Sequence, residues 1–484
     1  MKKKWINIRI ETKSREFIYK MKLADVLMHK GYGVVIQQDF GGDVEDLPRG
    51  VYFINSIYKD SEEKLKEIKQ RGNRIVLMDE EGLVIRNEKE YIRRLPDQCL
   101  RYVDSICCFG EYQADLIRRM SELEKLNIYA TGNPRINILS SSKKIANQDI
   151  VDRIKREYGN FLLVVSNFST VNLIGSNNSY EDRLRIKKKI FQEMGLIRGE
   201  AEEQEFEIRF QYLYKLFTSF IDLVNEIGEK HKEINVVVRP HPSENRNIWD
   251  SIANKYENIH VVYDGNMINW LEAATLVVQN GCTSAIECLY MNRPCISYRP
   301  YVNEKYDQHI PNELSTNVYT KDKVIELAEN ICMHNQEFPY YDEYAHYKVV
   351  AEKYISNSQN NDSIDAIVEI IEKEVEYCSE DDFDRIKYMC INYSKRISFR
   401  FLKKNVKKIL RNIIYFSLRT MKKTTNPLYV RAEDSINNER SMKNKMDGLT
   451  IEEIRKALYN EGIAEENIAV KRLKENTYIL YQEK

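Results

Sequence analysis

Residues 276–287 read Leu-Val-Val-Gln-Asn-Gly-Cys-Thr-Ser-Ala-Ile-Glu. The apolar run Thr275–Val278 breaks at Asn280-Gly281, and Thr283-Ser284 then open a helix carrying Glu287 in its first turns. A strand, a glycine turn and a hydroxyl-rich helix start place bare backbone N–H groups and hydroxyls where a phosphate can sit. Gln279, Asn280, Gly281, Thr283 and Ser284 are therefore candidate donor-site residues, and Glu287 has the length to accept hydrogen bonds from a ribose diol. The same pattern is also an ordinary strand-to-helix connection, so it needs a partner elsewhere.

Arg239-Pro240-His241-Pro242 is that partner, directly after Val236-Val237-Val238. Two prolines rigidify the loop and hold the imidazole in place. His241 can donate to a phosphate or to the carboxylate of an acidic sugar, and Arg239 can form a bidentate pair with either anion. A lone structural histidine in a turn is the plainer explanation. Asp79-Glu80-Glu81-Gly82 ends another strand, Arg74–Met78. Three carboxylates there repel one another, which raises a pKa and suits general acid/base or nucleophilic work; the plainer explanation is an exposed acidic turn. Arg15 and Glu16 begin the first crossover helix and face the same cleft, unless they are a surface ion pair. Asn133 and Arg135 shape a later turn, where Arg135 can also meet an anion, and Asn167 and Ser169 follow the strand Phe161–Val165 and line the donor site from below.

The elements that must position these groups alternate. Trp5–Ile10, Val34–Ile36, Val51–Ile54, Arg74–Met78, Asp104–Phe109 and Asn127–Thr131 read as strands, with helical spacing over Lys13–Lys30 and Ser61–Arg71. A polar linker spans Ser140–Asp152, and a second series follows with Phe161–Val165, Val236–Val238, His260–Tyr263, Thr275–Val278 and Cys295–Tyr298. A long helical insertion runs through Tyr180–Lys232. Strands alternating with helices imply parallel sheets. The expected organisation is α/β: Rossmann-like domains at 1–145 and 155–375 with the site in the cleft between them, a basic helical segment at 376–435, and a small separate tail unit at 445–484. In that tail Thr450-Ile-Glu-Glu453 forms a capping box and Thr477–Tyr481 a strand.

The 484 residues carry zero formal net charge, which excludes a global electrostatic case for nucleic acid. Nine dispersed cysteines without a Cys-x-x-Cys pair read as reduced thiols of a cytoplasmic protein. No apolar run is long enough to span a bilayer. Arg385–Ala432 nevertheless contains no acidic residue. Within it, 397–416 combines Phe399, Leu402, Val406, Ile409 and Ile413 at helical spacing with Lys403, Lys404, Lys407, Lys408 and Arg411, a candidate for an anionic membrane surface or a solvated basic face.

The motifs, taken as a set, resemble the bacterial surface carbohydrate biosynthesis proteins, a group similar to the Kdo (ulosonic acid) transferases of capsule and O-antigen assembly, which are GT-B enzymes. The resemblance runs over about residues 5–320 through Glu11-Thr-Lys13-Ser14-Arg15-Glu16, Asp79-Glu80-Glu81-Gly82, Gly132-Asn133-Pro134-Arg135, Ser166-Asn167-Phe168-Ser169, the Arg-Pro-His-Pro loop and Gln279–Glu287. It implies transfer from a CMP-activated sugar, with no cofactor and no metal. His241, Thr283 and Ser284 would meet the phosphate and Glu287 the cytidine ribose. The first domain would hold a glycan or lipid-linked glycan acceptor through Glu11, Lys13, Arg15, Glu16 and Arg135. Its acidic block would supply the nucleophile. In the capsule enzymes that block has an acid-Asp-Gly pattern, and here Glu81 takes the Asp position. A UDP-sugar 2-epimerase, a transferase using a CDP-alcohol and a non-catalytic GT-B scaffold remain alternatives.

Overall fold

The computed structural model describes residues 2–38, 44–83, 85, 88–120, 126–140, 146–174, 179–193, 195–263, 265–358, 362–382, 448–460, 468–474 and 476–482. The first sheet is built from parallel strands β1 (Trp5–Arg9), β2 (Gly33–Gln37), β3 (Gly50–Ile54), β4 (Arg74–Leu77), β5 (Ser105–Cys108) and β6 (Asn127–Ala130). They lie in the order β2-β1-β3-β4-β5-β6. Helix α1 (Lys13–His29) connects β1 to β2, and α2 (Pro134–Ser140) follows β6. All of β1 is buried, Asn7 and Arg9 included. The polar residues of this strand are thus as buried as the apolar ones, because a parallel sheet is covered on both faces. Asn7 offsets part of the cost of burial by donating from Nδ2 to the Pro48 carbonyl at 3.2 Å.

The second sheet holds β7 (Phe161–Val165), β8 (Asn235–Arg239), β9 (Ile259–Val261), β10 (Leu276–Gln279), β11 (Cys295–Tyr298) and β12 (Thr316–Val318). All pairs are parallel, in the order β9-β8-β7-β10-β11-β12. This is the strand order of a dinucleotide-binding Rossmann fold, whose chain reverses direction between β7 and β10 and opens a crevice there. The helical insertion appears as Tyr180–Glu193 and α3 (Glu200–Lys230), and α4 (Ser284–Tyr290) follows β10. Part of the expected polar linker is helical, Gln148–Tyr158, capped by the Asn147 side chain and burying Val151 and Ile154.

After the second sheet the chain returns to the first. Ser356 N donates to Phe109 O at 2.8 Å and Asn357 Nδ2 to Thr131 O at 3.2 Å. Gly132 faces this crossing with φ +76°, and a Cβ there would lie 2.1 Å from the Ser356 carbonyl oxygen, so only glycine fits. Helix α5 (Asp362–Glu376) then packs Ile364, Ile367, Val368 and Ile371 into a core shared with Ile6, Ile8, Val51 and Val76. Glu374 anchors it, bonded by Arg74 Nε at 2.7 Å and Ser105 Oγ at 2.5 Å. The packing thus assigns α5 to the first domain, where the division at 375 had placed it in the second.

The tail also belongs to the first domain and is not a separate unit. Helix α6 (Ile451–Asn460) carries the expected capping box: Glu453 N donates to Thr450 Oγ1 and Thr450 N to Glu453 Oε2, both at 3.1 Å. Strand β14 (Thr477–Gln482) pairs antiparallel with β2, and β13 (Ile468–Lys474) pairs with β14. Strand β2 would otherwise present a row of open N–H and C=O groups, and the hairpin closes that edge. The basic stretch 397–416 lies outside the described residues. Among the described residues no helix is long and apolar enough to cross a membrane.

The chain therefore forms two Rossmann-like α/β domains joined in the GT-B manner, with a C-terminal helix returned to the first domain.

Candidate active site

In the first domain the site grows from the start of α1. Glu16 is fully buried, and its carboxylate accepts from Glu11 N at 2.9 Å, Thr12 N at 3.0 Å and Lys20 Nζ at 2.9 Å, and from Asn55 Nδ2. These bonds satisfy N–H groups at the helix start that have no partner within the helix. Burial pushes the Glu16 carboxyl up, but Lys20 and Arg15 outweigh it and bring it down to about 2. Lys20, equally buried, also bonds Asn55 Oδ1 at 2.7 Å, and burial lowers its pKa. Glu16 is thus the hub that fixes the loop after β1, not a group open to an acceptor.

Arg15 reaches across to the acidic block. Its Nη1 donates to Glu81 Oε1 at 3.0 Å and its Nη2 to Glu16 Oε1 at 3.3 Å. Burial opposes the guanidinium charge, but Glu80, Glu81 and Glu16 together raise the Arg15 pKa. The three carboxylates of the block have different surroundings. Asp79 is buried beside Arg94 at 3.5 Å, and burial raises its pKa. Glu80 is buried and accepts from the Tyr19 hydroxyl, while its Oε2 has no hydrogen bond. Glu81 keeps 35% of its side chain exposed, so it is the member that reaches solvent.

Lys13 and Glu11 are engaged within the domain. Lys13 Nζ bonds Gly448 O at 2.8 Å and Glu453 Oε1 at 2.6 Å, docking the tail. Glu11 accepts from Ser56 Oγ at 2.8 Å.

In the second domain the Arg-Pro-His-Pro loop is held by a residue that sequence reasoning missed. Glu244 is buried and accepts from Ser166 Oγ at 2.9 and 2.8 Å, Phe168 N at 2.9 Å, Asn172 Nδ2 at 3.2 Å, His241 N at 3.2 Å and Trp249 Nε1 at 3.3 Å. One carboxylate therefore pins the ends of β7 and β8 together. Its signal in the sequence was a glutamate three residues beyond the histidine. Exposed His241 accepts from Ser243 N at Nδ1, 3.1 Å, which assigns a neutral ring's proton to Nε2. Arg239 lies over the Trp270 ring at 5.4 Å and donates to Gly265 O at 3.0 Å, so its guanidinium braces a neighbouring loop.

The helix-start segment is partly closed in the structure. Gln279 Oε1 accepts from Cys282 N at 2.9 Å and Cys282 Sγ from Ser284 N at 3.3 Å, so these two N–H groups are not bare. Asn280 Nδ2 bonds Tyr298 O at 3.0 Å. Gly281 has φ +55°, and a Cβ there would meet Gln308 Cβ at 2.8 Å. Ser284 is buried, Thr283 half-buried, and Asn167 and Ser169 are half-buried just beyond β7.

The two halves meet. Arg135, in the first turn of α2, places Nη1 3.2 Å from Glu287 Oε1 in α4, with side chains only 11% and 9% exposed. Burial raises the Glu287 pKa, opposed by Arg135 and then Arg15. The acidic block, Arg15, Arg135 and Glu287 therefore converge where the strand C-termini of both sheets face each other. Among the described residues no cluster of His, Cys, Asp or Glu could hold a metal ion.

No known family profile matches the chain, and no curated protein matches it. Solved structures do. The wall teichoic acid polymerase TagF matches with TM-score 0.49 and 11% identity over 77% of this chain and 89% of that one. The Methanocaldococcus jannaschii UDP-GlcNAc 2-epimerase, in complex with UDP-GlcNAc and UDP, matches with TM-score 0.46 and 14% identity over 76% and 99%.

Proposed function

We propose that the chain is a glycosyltransferase that moves a sugar from a nucleotide-activated donor at the second sheet to a glycan acceptor at the first. The observation that carries this reading is the convergence of Glu81, Arg15, Arg135 and Glu287 at the facing strand ends. An accessible carboxylate bonded to a guanidinium is suited to accept a proton or attack carbon. It lies opposite a strand–glycine–helix turn of the kind that receives phosphate. In this reading Glu81 is the nucleophile or general base, and Asp79 and Glu80 are its buried supports. His241 Nε2 and the Thr283 and Ser284 hydroxyls meet the phosphate, and Glu287 the ribose. Arginine and histidine side chains offset the leaving-group charge, so the reaction needs no metal.

The donor is a CMP-activated ulosonic acid such as Kdo, whose extra carboxylate suits an arginine-rich cleft. The acceptor is a lipid-linked glycan at the inner face of the membrane, approached through the basic stretch 397–416. Thermal shift with CMP, CDP and UDP tests the reading, since a ligand that binds only the folded state raises the melting temperature. CMP is expected to stabilise most. Stabilisation by UDP alone would favour the 2-epimerase alternative, and by CDP alone the CDP-alcohol transferase. No response to any of them sinks the nucleotide site.

A further inference from the structure

Arg135 stands at the seam between the domains with its backbone fixed. Its N–H donates to Asn133 Oδ1 at 2.8 Å, and the preceding Gly132 is wedged against the Ser356 carbonyl. Its side chain crosses to the other domain and pairs with Glu287, the carboxylate placed for a ribose diol. A diol donating to Glu287 competes with that ion pair. A guanidinium this buried then needs another anion within reach, since water has little access to it.

Three buried donors in the segments around it lack an acceptor. Arg135 Nε is buried without a hydrogen-bond acceptor. Asn133 Nδ2, in the same turn, and Gln279 Nε2, at the end of β10, are likewise buried without one. Neither amide can be turned to remove the deficit, because Asn133 Oδ1 already accepts from Arg135 N and Gln279 Oε1 from Cys282 N. Buried donors are nearly always satisfied in a finished structure. These donors come from both domains, and an oxygen-rich anion supplies acceptors for them; the open acceptors Asp79 Oδ2 and Glu80 Oε2 belong to the acidic block and are no partners for an anion.

We propose that Arg135 is the first domain's grip on the phosphate of the nucleotide, held in reserve by Glu287 until the ribose takes over that carboxylate. This rests on the cleft being a nucleotide site, and it moves Arg135 from the acceptor to the donor. Binding then exchanges one partner of Arg135 for another and keeps the guanidinium paired throughout.

The test compares nucleoside monophosphates with their nucleosides, CMP against cytidine and UMP against uridine, by calorimetric titration of the full chain. The quantity read is the affinity ratio of monophosphate to nucleoside. Arg135→Gln is expected to lower that ratio about tenfold, the loss of a charge-assisted pair, while nucleoside binding holds or tightens. Arg135→Lys is expected to lie between. Glu287→Gln is expected to weaken nucleoside binding and leave inorganic phosphate binding intact or tighter. An unchanged ratio in Arg135→Gln, or equal loss of nucleoside and monophosphate, overturns the proposal and leaves the nucleotide reading standing. Failure of the unmutated chain to bind any of these ligands overturns both. If circular dichroism shows Arg135→Gln unfolded, the double variant Arg135→Gln/Glu287→Gln removes both buried charges and takes its place, read by the ratio against Glu287→Gln alone.

Discussion

Arg15 donates to Glu81 at 3.0 Å through one nitrogen and to Glu16 at 3.3 Å through another. A single guanidinium thus links the carboxylate that fixes the start of α1 to the one that reaches the cleft. Positioning falls to the buried Glu16, and the chemistry proposed for the site falls to the partly exposed Glu81.

Glu81→Gln keeps the shape and removes the charge. Transfer is expected to fall about 10²–10⁴-fold, the usual contribution of a positioned acid–base group, with the melting temperature nearly unchanged because the side chain is partly exposed. Transfer at the unmutated rate would remove Glu81 from the mechanism. Asp79→Asn and Glu80→Gln are expected to show smaller losses of rate in the same assay.

Glu16 predicts a pH dependence. Its carboxyl is lowered from 4.5 to about 2 in the folded chain, so its stabilisation is complete above the unfolded value and is lost as pH falls from 4.5 towards 2. Glu16→Gln strands buried Lys20 and is expected to cost about 3–5 kcal/mol at neutral pH. Denaturant titrations from neutral pH into that window check both points. A steep acid loss that persists unchanged in the variant would assign it to other groups.

Glu244 and His241 should separate stability from binding. Glu244→Ala leaves several buried donors unsatisfied and is expected to destabilise by about 3 kcal/mol or more. His241→Ala touches an exposed ring and is expected to shift stability by less than about 0.5 kcal/mol while weakening nucleotide phosphate binding. Urea melts and nucleotide titrations of the two variants provide the comparison. A His241→Ala variant that melts early yet binds normally would make the ring structural.

Removal of residues 448–484 should uncover the β2 edge and the face of α1. Tyr478, Ile479 and Leu480 are all buried, each stabilising by about 1.5–3 kcal/mol. The expected result is a lower melting temperature and concentration-dependent aggregation in size-exclusion chromatography, as for an open strand edge. A truncated chain that keeps the oligomeric state and the stability of the full chain would contradict the pairing of β14 with β2.

Both parallel sheets, apart from the short edge strand β12, were legible in the sequence, because a strand covered on both faces tends to be written as a near-continuous apolar run such as Phe161–Val165. The capping box at Thr450–Glu453 and the left-handed turns at Gly132 and Gly281 were legible because their causes lie within a few residues, whereas the close approach of Ser356 and Gln308 to those glycines was not. The motif blocks at Arg15, Glu81, His241 and Glu287 stood out as candidates by residue type. Contacts between distant segments were not written that way. Only the tertiary structure decided that Arg135 meets Glu287, that Lys13 docks the tail, that Glu244 ties β7 to β8, and that β14 joins β2. It also decided which of three consecutive carboxylates keeps an exposed face. Backbone periodicity is a local property of the chain, whereas burial and ion pairing depend on what the rest of the fold brings alongside.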